Sequence, residues 1–231
     1  MRQIILDTET TGLETSLGHR VIEIAAVEMV NRRFTGNHFH QYLNPDREID
    51  AGAQQVHGIS LDFLQDKPRF REIMSDFLNY IDGGELIIHN APFDVGFLNH
   101  ELGLEGMNPV LSYCGGVVDT LKLAKELHPG QKNNLDALCK RYGVDNSGRT
   151  LHGALLDAEL LAEVYLAMTR GQESLVMDVD TITTQDNVVK MPSGPLLIQK
   201  ALSDELSQHE HQLAAIDKES KGQCLWLLSK D

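Results

Sequence analysis

The sequence predicts an α/β fold, a mixed sheet flanked by helices, followed by a linker and a helical C-terminal tail. Three observations carry this. Three β-patterned runs fall within residues 3–43, helical and strand patterns alternate from about residue 70, and past Gly171 the composition turns to Asp, Thr, Gln and Ser before one last helical stripe. Strands first, then alternation, is the order expected when helices cover the faces of a mixed sheet.

The first run, Ile4-Ile5-Leu6, is short and apolar and is stopped by Asp7. Residues 21–27 and 34–43 form the next two, and the polar gap Asn31-Arg32-Arg33 between them marks a hairpin. Phe70, Ile73, Phe77, Leu78 and Ile81 then recur at helical spacing, Leu86-Ile87-Ile88 reads as a buried strand, and Phe93, Phe97 and Leu98 open another helix. Val117-Val118 is a further short strand. Leu135, Leu138, Cys139 and Tyr142 follow the i, i+3, i+4, i+7 pattern, and residues 154–168 form a strong helix around Leu155, Leu156, Leu160, Val164 and Tyr165. Pro192-Ser193-Gly194-Pro195 breaks the chain. Beyond it Ile198, Leu202, Leu206, His209, Leu213 and Ile216 line one helix face, and the chain closes on Cys224-Leu225-Trp226-Leu227-Leu228, which holds the single tryptophan. An amphipathic helix and an apolar peptide have too little to pack against alone, so residues 196–231 are expected to bind a partner, the plainer alternative being that they fold back on the main domain.

A chain of 231 residues, 42% hydrophobic and 23% charged, can bury a core without disulfides. Collagen-like, low-complexity and wholly disordered classes are excluded. Cys114, Cys139 and Cys224 form no C-x-x-C pair, so neither a disulfide framework nor a zinc site is indicated. No apolar run approaches the ~20 residues of a membrane span, and Asp7 interrupts the first apolar stretch too early for a signal peptide. The expectation is a cytoplasmic protein with no membrane partner. A net charge of −14 argues against gripping nucleic acid through a broad basic surface. Divalent cations answer that objection, because they turn acidic residues into a phosphate site. The chain has no phosphate-binding loop, nucleophile elbow or H-E-x-x-H string.

Asp7-Thr8-Glu9 ends the first strand, so its two carboxylates share one side with Thr8 opposite. Like charges half-buried at that spacing need a cation, and hard oxygen ligands suit Mg2+ or Mn2+; a solvated turn would carry the same residues without chemistry. Asp94 falls about one turn into the helix after Asn90-Ala91-Pro92, where proline is tolerated. Asp157 sits among Leu155, Leu156, Leu160 and Leu161, either as a ligand or as a charge on the solvent face. His152 precedes it by five positions, about 140° around a helix, and so belongs on the preceding loop. An imidazole titrating near neutral pH is suited there to activating water.

Together, Asp7-Thr8-Glu9-Thr10-Thr11-Gly12, His89-Asn90-Ala91-Pro92-Phe93-Asp94 and His152-Gly153-Ala154-Leu155-Leu156-Asp157-Ala158 resemble the three motifs of the DEDDh, or DnaQ-like, 3′–5′ exonucleases. Order, spacing and the H-x4-D ending all agree. The resemblance implies a ribonuclease H-like fold and metal-dependent phosphodiester hydrolysis. It implies that Asp7, Glu9, Asp94 and Asp157 hold two Mg2+ or Mn2+ ions with Asp7 shared, that Asp7, Glu9 and Asp157 also lie against the substrate, and that His152 is the general base.

Val56-His57-Gly58-Ile59, Asn134-Leu135-Asp136-Ala137-Leu138-Cys139 and Gln223-Cys224-Leu225-Trp226 resemble, more narrowly, those members of the family that proofread for bacterial replicative polymerases. This implies a nuclease domain over residues 1–171 that removes mispaired nucleotides from the 3′ end of DNA primers, with His57 on the substrate. It implies a flexible linker over 172–195, in which Gln172, Leu175 and Met177 resemble a peptide for the sliding clamp. Residues 196–231 would then bind the catalytic (alpha) subunit of the polymerase through Leu225, Trp226 and Leu227, and a small, theta-like accessory subunit belongs to the same set of implied partners. One position departs from the pattern: a glutamate that usually precedes the V-H-G-I string and helps hold the 3′-terminal nucleotide is Gly52 here. An acidic nuclease binds DNA weakly by itself, and tethering to a polymerase would restore its effective concentration. The same metal chemistry serves RNA ends; the tail favours the polymerase-bound reading over a free-standing RNA-trimming one.

Overall fold

β1 (Arg2–Thr10) is the middle strand of a five-stranded sheet in the computed structural model, which describes residues 1–149, 151–170, 201–220 and 222–228. On one side it pairs antiparallel with β2 (Val21–Val30), and β2 pairs in turn with β3 (Arg33–Tyr42). On the other it pairs in parallel with β4 (Glu85–Ile88), and β4 with β5 (Gly116–Asp119). The order β3-β2-β1-β4-β5 is the mixed sheet that the sequence predicts. The β2–β3 hairpin turns on Asn31 and Arg32, at φ 50° and 63°, as a two-residue loop of the primed type requires. Arginine is an uncommon occupant of that region. Its guanidinium donates to Thr169 Oγ1 (2.7 Å) and to the Leu166 carbonyl (2.9 Å).

Alternation along β1 divides the core in two. Ile4 and Leu6 face α3 (Phe70–Ile81) and α4 (Ala91–Leu104), while Ile5 joins Val27, Met29 and Ile87 beneath α5 (Thr120–Leu127), α6 (Leu135–Tyr142) and α7 (Ala154–Met168). Phe77 of α3 is fully buried, with the rings of Phe39 and Phe70 at 5.6 and 6.4 Å. Both faces of the sheet are therefore covered, which is why β1 and β4 read as continuous apolar runs rather than alternating ones.

Two further helices carry too little periodicity to be marked by the sequence, α5 carries a stripe of only eight residues, and each of the three is set by its ends. α1 (Ala51–His57) stops at Gly58, where φ is 72° and an added Cβ would lie 2.6 Å from Leu151 Cδ1. α2 (Leu61–Leu64) starts where Ser60 Oγ accepts from the Phe63 amide, and α5 where Asp119 accepts from the amides of Leu121 and Lys122.

The chain divides into two units, Met1–Met177 and Asp178–Asp231. In the second, α8 (Ser203–Glu219) is the expected tail helix and α9 (Leu225–Leu228) a single turn. No residue of α8 is buried, and Trp226 is 77% exposed. The expected linker 172–195, with Gln172, Leu175 and Met177, lies outside the described residues, as do Ile198 and the side-chain surroundings of Leu225. Among the described residues no helix is long and apolar enough to cross a membrane.

Phe77→Ala should destabilise the first unit by about 3–5 kcal/mol, the usual cost of removing a fully buried ring. Urea unfolding measures this; a midpoint equal to that of the parent chain would show that the ring cluster does not hold α3 to the sheet.

Candidate active site

The end of β1 delivers Asp7 and Glu9 to a cavity of about 700 Å3, which Asp94 and His152 also line. Thr8, between them, uses its hydroxyl to donate to Asp94 Oδ1 (2.7 Å). Asp94 lies in the first turn of α4, as expected, because left-handed Asn90 (φ 65°) turns the chain from β4 straight into the helix. Asp157 lies in the first turn of α7, buried rather than on a solvent face. The N-cap of α7 is Gly153, which has no side chain to offer, so Glu23 of β2 takes its place and accepts from the Ala154 amide (3.2 Å). Glu23 is itself buried, stands opposite Glu9 in the β1–β2 register, and meets His40 Nε2 at 2.7 Å.

His152 sits on the loop before α7, where the sequence puts it, and its amide donates to the Val56 carbonyl (3.1 Å). That bond ties the loop to α1, whose last residue is His57. The Thr10-Thr11-Gly12 string brings α1 to the cavity from the other side. Thr11 Oγ1 lies 3.0 Å from His19 Nδ1, the Asp50 amide donates to the Thr11 carbonyl (2.9 Å), and Gly12 packs on the His19 ring so closely that a Cβ would sit 2.3 Å from Cε1.

The carboxylates crowd one another. Burial, with Asp94 as the strongest neighbouring charge, holds Asp7 well above the usual carboxylate range. Burial pushes Glu9 up to about 8, with Asp157 adding to it, and lifts Asp94 to about 7 against the hydrogen bond from Thr8. A cluster of this kind cannot be fully ionised at neutral pH without a cation. Glu9, His152 and Asp157 place ligand atoms within 4.8 Å of one another, and this oxygen-rich donor set fits a hard divalent ion. Asp157 does not line the main cavity. It lines a smaller one of about 230 Å3 with Asp136 and Arg149, and Asp7, His89 and His152 border both.

Arg149 is the residue that the sequence reading does not single out. Its guanidinium forks onto Asp157, reaches Asp136 and lies 3.1 Å from His152 Nδ1. A lone arginine in a polar loop carries no periodic or motif signal. Glu23 is hidden for a different reason, since it interrupts an apolar strand without belonging to any motif. His152 is held below its ordinary pKa by burial and by Arg149. In His57, Nδ1 accepts from the Ile59 amide (3.0 Å), so the proton of the neutral ring sits on Nε2, a buried atom without a partner among the described residues. Gly52 lines the cavity, and a Cβ there would meet nothing within 4 Å. The space of the missing glutamate is thus open.

The exonuclease family RNase_T matches residues 4–165. The chain is 49% identical to the DNA polymerase III subunit epsilon of Escherichia coli (strain K12) over 97% of each chain, and 49% identical to that of Pasteurella multocida (strain Pm70) over 97% of this chain and 93% of the relative. The subunit of the same name from Salmonella typhimurium is 50% identical over 97% of each. Among solved structures, Exonuclease X in complex with 5′ overhanging duplex DNA is 28% identical with a TM-score of 0.57, covering 74% of this chain and 92% of that one. The nuclease domain of 3′hExo, a DEDDh family member bound to rAMP, is 18% identical over the same shares with a TM-score of 0.64, a likeness of fold.

Glu9 and Asp94 have folded-state pKa values above their ordinary ones, so the folded chain binds more protons than the unfolded chain between about pH 4 and about pH 8. Their stabilising contribution is complete below that window and is lost as pH rises through it. In EDTA the melting temperature of the chain should therefore fall from about pH 5 to about pH 8, and Glu9→Gln should flatten the slope. Calorimetry that gives equal slopes for both proteins would remove the charge crowding.

Proposed function

Since the chain belongs to the exonuclease family and, within it, to the DNA polymerase III epsilon subunits, we infer that it works as the proofreading 3′–5′ exonuclease of a replicative polymerase, removing mispaired nucleotides from the 3′ end of DNA primers. The observation that carries this reading is the cluster of Asp7, Glu9, Asp94 and Asp157, charges too crowded to stand alone, with a histidine beside them at the mouth of a nucleotide-sized cavity.

These four carboxylates would hold two Mg2+ or Mn2+ ions, with Asp7 shared, which when bound acidify a water and stabilise the leaving 3′ oxygen. His152 would serve as the base for an attacking water, its lowered pKa keeping it neutral and able to take a proton at pH 7. His57 stays neutral because burial lowers its pKa, and its free Nε2–H is a donor for an acceptor on the terminal nucleotide. Val56 and Phe93 give the cavity apolar walls for a base. The 3′-end contact usually made by glutamate is lost at Gly52, which leaves His57 with a larger share of that end.

The tail, residues 196–231, serves attachment. Leu225, Trp226 and Leu227 are proposed anchors for the catalytic subunit, supported by the exposure of Trp226 and Leu227, since a tryptophan centred in an interface commonly dominates binding. Gln172, Leu175 and Met177 remain a proposed clamp-binding peptide, and a theta-like subunit a proposed third partner.

Asp7→Ala or Glu9→Ala should abolish digestion of a 3′-mispaired primer without lowering the melting temperature, because either change relieves repulsion while removing a ligand. His152→Ala should slow turnover by roughly 10²–10⁴-fold and leave Mn2+ uptake intact. Primer digestion, calorimetry and Mn2+ binding together test this, and near-normal digestion by either carboxylate variant ends the assignment. Trp226→Ala should weaken binding to the purified polymerase subunit by about 2 kcal/mol or more, with exonuclease activity unchanged; equal affinity measured by surface plasmon resonance would place the contact elsewhere.

A further inference from the structure

Arg149 is committed to the site in a way that catalysis by four carboxylates and a histidine does not ask for. Nε and Nη2 occupy both oxygens of Asp157 (2.5 and 2.7 Å), Nη1 donates to Asp136 Oδ1 (2.8 Å), and Nη2 points at His152 Nδ1 (3.1 Å). The side chains of Arg149 and Asp157 are 7% and 5% exposed, whereas that of Asp136 is 55% exposed. A guanidinium only donates and does not lose its proton in proteins. His152 Nδ1 is therefore the acceptor, and the neutral ring carries its proton on Nε2. In this arrangement both Asp157 oxygens are taken and His152 has no nitrogen free to receive a proton from water. Among the described residues, Arg149 is the only permanently charged cation bonded to any of the four carboxylates.

We propose that Arg149 is a clasp, a positioning residue whose guanidinium stands in for a divalent cation on Asp157, keeps His152 from acting as a base, and moves onto Asp136 when metal binds. This rests on the metal-binding reading of the carboxylates. The competition is direct, because one buried carboxylate cannot give the same lone pairs to an arginine fork and to an ion. Removing Arg149 to solvent would cost the buried pair without compensation, but Asp136 already holds one of its amino groups and, being exposed, can take the rest of the charge cheaply. The Arg149 amide donates to the Asn146 carbonyl (3.0 Å), and Asn146 Nδ2 donates to Asp136 Oδ1 (3.1 Å). The backbone and the parking site are thereby fixed to each other, so the motion is that of the side chain. A metal-free site then has the charge of Asp157 met and its histidine inert, and metal binding releases ligand and base in one event.

The test is Mn2+ titration of the full chain, followed by electron paramagnetic resonance, for the parent, Arg149→Gln, Asp136→Asn and the double variant. Loss of the competing cation should tighten Mn2+ binding in Arg149→Gln by about tenfold, within the range of ordinary site–site coupling, while its melting temperature in EDTA drops. Asp136→Asn removes the parking site and should weaken Mn2+ binding several-fold in the parent background but change little when Arg149 is already Gln. An equal effect of Asp136→Asn in both backgrounds means plain long-range electrostatics and overturns the clasp. So does Mn2+ binding by Arg149→Gln that is no tighter than the parent's. Where Arg149→Gln unfolds, Arg149→Lys, which keeps the charge but cannot fork onto both Asp157 oxygens, takes its place in the same comparison with Asp136→Asn. Nitrogen-15 spectra of His152 should show the Nε2–H form in the metal-free parent and a mixed population in Arg149→Gln. A parent chain that takes up no Mn2+ overturns the metal reading and the clasp with it, whereas normal uptake with unaltered variants overturns the clasp alone.

Discussion

Mutual repulsion among four carboxylates is the constraint around which the first unit is arranged. Asp7 and Glu9 cannot avoid each other, since two-residue alternation sends both to one side of the end of β1. Asp94 and Asp157 are added from α4 and α7, and each sits in the first turn of its helix. That placement matters energetically, because the aligned peptide dipoles favour negative charge at a helix N-terminus. Thr8 and Arg149 supply further stabilisation by donating to Asp94 and Asp157. What these groups leave unbalanced is the charge a divalent ion neutralises, and it explains how a nuclease with a net charge of −14 can meet a phosphodiester.

The same alternation makes the cluster stiff. Ile4 and Leu6 are buried under one layer of helices and Ile5 under another, so β1 can neither shift register nor rotate without exposing one set. Asp7 and Glu9 are thus carried by a strand packed on both faces. His152 and Arg149 belong to a loop whose backbone bonds include those from the His152 amide to Val56 and from the Arg149 amide to Asn146. Asp7 and Glu9 are fixed by the core, whereas His152 and Arg149 are carried by a loop. A division of this kind is general where a rigid scaffold presents chemistry on loops.

Much of this is legible in the residues themselves. The apolar runs of β1, β2 and β4 and the stripes of α3 and α6 are long enough to be seen, α7 shows itself by fifteen largely apolar residues without a breaker, and the three acidic strings fall at the strand and helix ends where the structure has them. α1 escapes notice because Gly52 and two glutamines leave it without an apolar stripe, and α5 because Asp119, a residue at the end of a strand, is what starts it. Contacts across long sequence separations are invisible in principle to a reading of local pattern. Glu23 capping a helix 131 positions away belongs to that class. Arg149 is hidden for another reason, since Asp157 and His152 stand only eight and three positions on, but a single arginine in a polar loop repeats no pattern. The motif strings mark the carboxylates and the histidine that the fold brings together, and say little about which residues hold them.

The strand order has a consequence for how the chain is made. β1, β2 and β3 form a meander whose pairings are local, whereas β4 reaches β1 only after the helices of residues 51–81 have been threaded past. α7, bringing Asp157, comes later still. Local contacts form early and distant ones late, and a chain leaving the ribosome appears N-terminus first. Asp7 and Glu9 therefore begin as hydrated residues at the end of a growing hairpin, where water screens them from each other and from Glu23 opposite. The expensive concentration of negative charge arises in the closing stage of folding, when a nearly complete hydrophobic core is already there to withstand it.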